Sequence, residues 1–391
     1  MFSVDRVQRR WLVAFGLTLA CFVGAAFWLY LRLPSYRSPA FDFRMLKPDE
    51  AFNAQGLTRR QDGSLKLGFA ESYPPPAIGA YGNHVIGHFG SDAFGRPPDP
   101  AYFFNFGYAN LALPEVHAYL LHLERLGHLP RRLAIVQVTT PNNDNGRYIV
   151  DWGNELPPDV VLEGLPGGRV GNLGEAVTVA ARVLVNELHE VFSYNTAILS
   201  LVQGGRDHRI VGPAACTDAA PAWLLRLPTA VRSVVGPRVG RPFYCLPHYW
   251  WLGYRRDGSN TAPGAREGGG DRPLVQNENP LKDSERALNA GDERRIARYL
   301  RAIDAIGRRN GVKVAFLVPP VYETDRRDSV VNQVFDRALA LVPEIAILDH
   351  RGLGGDATLF ADYNHPSAKY YRLVVQELRR RGLLDEAAPL D

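Results

Sequence analysis

The sequence predicts an α/β fold: a doubly wound, mainly parallel sheet, preceded by a transmembrane helix and interrupted by a mid-chain insertion. Three observations carry this expectation. Short apolar, partly β-branched runs alternate with helical patterns, as in parallel sheets covered by helices. One stretch near the N-terminus is uncharged over the thickness of a bilayer. Between Asp151 and about Arg286 the alternation stops and Gly, Pro and Arg dominate.

The first element is the anchor. Trp11 to Leu31 (WLVAFGLTLACFVGAAFWLYL) carries no charge. A helix of that length rises about 30 Å, enough for the hydrocarbon core. Trp11 at one end and Trp28 and Tyr30 at the other suit the interfacial aromatic belts. Arg6, Arg9 and Arg10 precede it, which favours a cytoplasmic N-terminus. The apolar run is longer than a cleavable signal needs, so an uncleaved anchor is expected, with the rest of the chain outside the cytoplasm. Residues 1–35 are therefore tail and anchor, and residues 36–80, with scattered Pro and Gly, read as a linker.

The α/β domain is expected in two parts, 81–150 and 287–391, around an insertion or cap at 151–286. His84 to Phe89 is apolar and ends in Gly-Ser-Asp, which suggests a buried strand and a turn. Tyr102 to Phe106 reads as a second short strand. Leu113, Val116, Leu120 and Leu123 mark a helix over 113–126. Leu133 to Val138 (LAIVQV) is a buried strand running into the turn formers TTPNNDNG. After the insertion, Ile296, Leu300, Ile303 and Ile306 share one face of a helix over 292–309 that stops at Gly311. Strands follow at 312–318 and 345–349, and helices at 329–341 and 366–381. Pro366 stands near the start of the last helix and Gly382 just past its end.

Composition narrows the function. The 391 residues are 46% hydrophobic and 22% charged, an ordinary globular balance. The net charge of +4 is small, and arginines form no long run, so nucleic-acid binding has no support. No Walker or dinucleotide glycine loop occurs, and no cofactor is expected. There is neither CxxC nor a Cys/His metal spacing, and His84 with His88 lacks a joining carboxylate, so no metal is expected. Cys216 and Cys245 can pair in an oxidising compartment or remain two thiols; the sequence leaves both open.

Three polar clusters follow predicted strands: Gly90-Ser91-Asp92, Pro141-Asn142-Asn143-Asp144, and Asp362-Tyr363-Asn364-His365. In a doubly wound sheet such loops converge on the carboxyl edge. Asp362, three residues before His365, can turn its carboxylate onto the imidazole, fix the tautomer and leave the other nitrogen for a nucleophile. FADYNHPSAKYY before a terminal helix resembles the closing block of SGNH (GDSL-like) hydrolases. LAIVQVTTPNND resembles that family's strand ending in G-x-N-D, with Pro141 in place of Gly.

That resemblance implies a flavodoxin-like three-layer sandwich and a Ser-His-Asp triad completed by Asp362 and His365. Asn143 then donates its amide to the oxyanion. The family's first block is a strand ending in G-D-S; HVIGHFGSDAFG offers Ser91 as nucleophile in one register and Asp92 in the other, and Ser91 is preferred. NFGYANLALPEV resembles N-x-G-x-x-G, with Asn110 at the usual oxyanion glycine. The expected function is a membrane-anchored ester hydrolase or O-acyltransferase acting on an extracytoplasmic glycan or other envelope component, with a membrane acyl-donor partner where it transfers. The alternative is a catalytically degenerate domain of the same kind that binds glycan or scaffolds an envelope assembly. A third reading centres binding on the insertion, where His248, Tyr249, Trp250 and Trp251 offer aromatic faces; an ordinary packed cluster is the blander account.

Overall fold

The computed structural model describes residues 11, 13–21, 24, 41–47, 50–53, 59–107, 111–138, 156–164, 177–178, 181, 210–211, 253–260, 290–320, 330–360 and 365–384. Its centre is a five-stranded, all-parallel sheet. The strands are β2 (Ile78–Tyr81), β3 (Phe103–Asn105), β4 (Leu133–Gln137), β7 (Lys313–Val318) and β8 (Ile347–Asp349), in the order β3-β2-β4-β7-β8. The first strand of this sheet thus lies between the second and the third. A smaller antiparallel sheet pairs β1 (Ala51–Asn53) with β5 (Ile210–Val211) and β6 (Gly253–Arg255).

The strands are apolar on both faces, as an internal parallel sheet requires. Ala134, Val136, Val314, Phe316 and Val318 belong to one core, and Leu133, Ile135, Ala315 and Leu317 to the other. The first core is closed by α1 (Arg59–Ser72), α2 (Leu113–Leu126), α4 (Ala290–Arg309) and α5 (Val330–Ala340). The second is closed by α6 (Ala368–Arg380), through Tyr370, Tyr371, Val374, Val375 and Leu378. This is the expected α/β fold with helices on both faces.

Helix ends follow local chemistry. Glu115 in the first turn of α2 accepts the Ala112 N–H at 3.1 Å, and Gly127 closes the helix at φ 72°. Gly311 and Gly382 take the same left-handed position after α4 and α6. The last helix begins at Ala368, two residues beyond Pro366, which instead bridges to Phe360.

Two expectations are corrected. The apolar run 84–89 is no strand: His84–His88 forms a 3-10 helix capped by the Asn83 side chain, which accepts the Val85 N–H at 2.9 Å. Its residues are apolar because they fill the space between the sheet and α6, which periodicity does not distinguish from a buried strand. The stretch 36–80 is no mere linker, since it holds β1, α1 and β2. Pro74, Pro75 and Pro76 lie just before β2, outside its ladder, so they disguise the strand without interrupting it. Parts of the expected insertion also join the body: β5 and β6 pair with β1, and α3 (Pro158–Glu163) packs on α2.

Among the described residues no helix is long and apolar enough to cross a membrane. Residues 13–21 are helical, and their Val13, Phe15, Leu17 and Leu19 are exposed.

Candidate functional site

The strand order reverses between β2 and β4, and ligands of open α/β sheets bind outside the carboxyl ends of strands at such a point. The chain leaves β2 through Gly82-Asn83-His84. Gly82 is required by close approach: a Cβ there would lie 2.5 Å from the Gln137 Cβ. Gln137, the last residue of β4, donates to the Asn83 Oδ1 at 2.8 Å and accepts the Ile86 N–H at 3.1 Å. Asn105, the last residue of β3, donates to the Ile86 and Phe89 carbonyls at 2.8 Å each, and its own oxygen accepts the Gly107 N–H. The Tyr371 hydroxyl of α6 donates to the Val85 carbonyl at 2.7 Å, and the Asn260 N–H to the Gly87 carbonyl at 2.7 Å. Burial pushes the Tyr371 phenol up, so it stays a donor. The loop after β2 is therefore pinned by β3, β4, α6 and the 253–260 turn.

Histidines gather at this pinned loop. The His84 ring centroid lies 5.1 Å from that of His365, and the His88 centroid 5.9 Å from it, both edge-on. His84 and His365 are half-buried and His88 is buried. Lys66 of α1, fully buried, donates to the Gly107 carbonyl at 2.5 Å and lies over the Tyr254 ring.

Ser91 does not join this group. It belongs to a second 3-10 turn, Ser91–Phe94, and has no exposed surface. Its N–H donates to Asp257 at 2.7 Å and its Oγ accepts the Asp99 N–H at 3.4 Å. Burial disfavours the Asp257 carboxylate, but Arg255, Ser259 and Ser91 outweigh it and hold the pKa below the ordinary range. The Ser259 hydroxyl donates to Asp257 at 2.6 Å, and Arg255 pairs with Asp92 at 3.2 Å. The Ser91 hydrogen bonds run to Asp257 and Asp99, away from the histidines. The strand that the preferred register assumed before Ser91 ends earlier, at Tyr81, and a 3-10 helix stands in its place.

No family model matches the chain, and no curated protein matches it significantly in sequence.

Asp362, Asn143 and Asn110 lie outside the described residues, as do Cys216 and Cys245. Among the described residues no group of His, Cys, Asp or Glu is arranged to hold a metal ion. Of the expected residues, the structure brings His365 to the carboxyl edge, and it meets His84 there. His84 was readable only as half of a metal pair, because its strand was hidden behind three prolines. Lys66 carried no signal, since α1 contains two glycines and little periodicity. An unassigned polar residue after a glycine at a strand end is the signal that would have found His84.

Proposed function

We propose that this chain is a membrane-anchored, outward-facing domain of SGNH-like architecture that binds an envelope glycan at the carboxyl edge of its sheet, without serine chemistry at Ser91. One observation carries the reading. The first sheet strand runs into Gly82-Asn83-His84, where the resemblance calls for G-D-S, so an imidazole faces His365 in place of a hydroxyl. Two half-buried imidazoles, one of them on a rigid loop, can donate to and accept from sugar hydroxyls at little ordering cost. The strand order and the closing D-x-x-H segment support the architecture.

The test is fluorophosphonate labelling of the full-length chain in detergent, with adducts mapped by mass spectrometry. No adduct on Ser91 is expected. An adduct on Ser91 that disappears in His365→Ala would overturn the reading and restore the triad.

The His84–His365 contact favours a second reading, ester hydrolysis by water with one imidazole as base and the other as acid. It predicts slow turnover of short acyl esters that is lost in His84→Ala and in His365→Ala. A flat background rate in wild type removes it.

A further inference from the structure

The opposite edge of the sheet carries a second feature, independent of the histidine site. A cavity of about 340 Å³ opens where β2, β4 and β7 begin, floored by Ile78, Leu133 and Lys313. Arg96, Arg131, Arg132, Lys313 and Arg379 line it, with Tyr102, and among the described residues no carboxylate does. The chain as a whole is nearly balanced, with 45 basic and 41 acidic residues, so this segregation is a matter of position. The five cations come from separate parts of the chain: the turn after Phe94, the loop before β4, β7, and the last turn of α6.

Two bland accounts fail on magnitude. Surface arginines are commonly neutralised by ion pairs, but among the described residues none of Arg96, Arg131 and Arg379 is paired with a carboxylate. Cations also gather at helix C-termini, and α4 and α6 both end here, beside Gly311 and Leu383. Each helix end carries roughly half a negative charge, so two offset about one of the five positive charges. Lys313 already serves that purpose, donating to the Gly382 carbonyl at 2.9 Å.

Two of the remaining groups are held by their own contacts. The Arg96 guanidinium stacks 4.1 Å over the Tyr102 ring, and Arg131 donates to the Ala101 carbonyl at 3.3 Å. Tyr102 lines the cavity beside Arg96, Arg132 and Arg379, and the charges of all three act on its hydroxyl. Burial alone would raise its pKa, and the three cations oppose that rise.

We infer that this cavity is a binding site for a phosphate-bearing ligand the size of a pyrophosphate or a lipid headgroup. Guanidinium forks match phosphate oxygens in pairs, and the volume suits a small anion and excludes a polymer.

The full-length chain in a neutral, phosphate-free detergent is titrated by calorimetry with inorganic pyrophosphate and, separately, with short-chain phosphatidylglycerol. Saturable one-to-one binding of at least one probe is expected. The paired change Arg131→Gln and Arg379→Gln weakens it at least tenfold. The exposed pair Arg294→Gln and Arg298→Gln, on α4 away from the cavity, leaves it unchanged. Should the first pair lower the melting temperature, the single exposed change Arg96→Gln reads the same loss. Binding of pyrophosphate alone assigns a soluble ligand, and of the lipid alone a headgroup; binding of both assigns a site that reads phosphate whatever carries it. Binding of neither probe, or equal weakening by both pairs, overturns the inference.

Discussion

A single buried amide holds the first two crossover loops together. Asn105 spends all of its side-chain hydrogen bonds within the scaffold: two on the carbonyls of Ile86 and Phe89, one on the Gly107 N–H. Asn105→Ala leaves the Phe89 carbonyl and the Gly107 N–H without that partner in a fully buried place. A loss of about 2–4 kcal/mol in urea unfolding is expected. His84 differs, because it is half-buried and its loop is already pinned by others. His84→Ala is expected to change stability by less than about 1 kcal/mol while removing the site's imidazole pair. A stability loss for His84→Ala as large as that for Asn105→Ala would make His84 part of the scaffold and weaken its functional assignment. Reading at this scale was the hardest from sequence. A polar residue at a strand end is visible only once the strand is placed, and a shift of the strand moves every residue credited to its end. The apolar run before Ser91 was misread as a strand because it is a buried 3-10 turn.

At the scale of elements, two buried histidines on α2 set opposite pH dependences. His122 Nε2 lies 2.7 Å from Glu71 of α1, and its Nδ1 lies 2.9 Å from Glu163 of α3. Burial works against its charge, but the bonds to Glu71 and Glu163 prevail and raise its pKa. A raised folded pKa gives stability that is fully present below the ordinary value near 6.5 and is lost as pH rises through the folded value. His122→Gln should therefore lower the melting temperature at pH below that ordinary value and flatten its decline as pH rises past it. An unchanged slope above that ordinary value would show that the imidazolium does not tie α1, α2 and α3 together. His117 behaves in the other sense. Burial, and then the charge of Arg309, lower its pKa to about 4, and its ring lies edge-on to Tyr299 of α4 at 5.8 Å. The folded chain keeps it neutral while the unfolded chain protonates it, so stability present above about pH 6.5 falls by roughly 3 kcal/mol by pH 4. His117→Phe should make denaturant midpoints between those pH values shallower in slope; an identical slope would refute the assignment. Helices such as α2 and α4 were legible because their apolar spacing is regular. The helix α1 was not, because Gly63 and Gly68 each cost about 1 kcal/mol of helix propensity and tertiary burial of Leu65, Leu67 and Phe69 overrides that.

For the whole molecule, the alternation of strands and helices was legible, and it is what fixes the carboxyl edge as the place to look. The tie between the start of the domain and its insertion was not, because β1 pairs with β5 and β6, strands far apart in sequence and only two or three residues long. Such pairing is specified by neighbours and leaves no local period. The proposed anchor bears on how both edges of the sheet meet their ligands. Val13, Phe15, Leu17 and Leu19 are helical and exposed, an arrangement that water disfavours and a bilayer accepts. Each arginine at the centre of a spanning helix costs about 2.5–3.5 kcal/mol in insertion, so Leu17→Arg with Leu19→Arg should move the full-length chain from the membrane pellet to the soluble fraction after alkaline extraction. The orientation is read separately. The arginines at 6, 9 and 10 predict a cytoplasmic N-terminus, so protease added to intact spheroplasts should digest the α/β domain of the wild type. Digestion only after lysis would put the domain on the cytoplasmic side, and the glycan reading would fall with it. The phosphate cavity would survive that result, because inner-leaflet headgroups and soluble phosphates are both reachable from there.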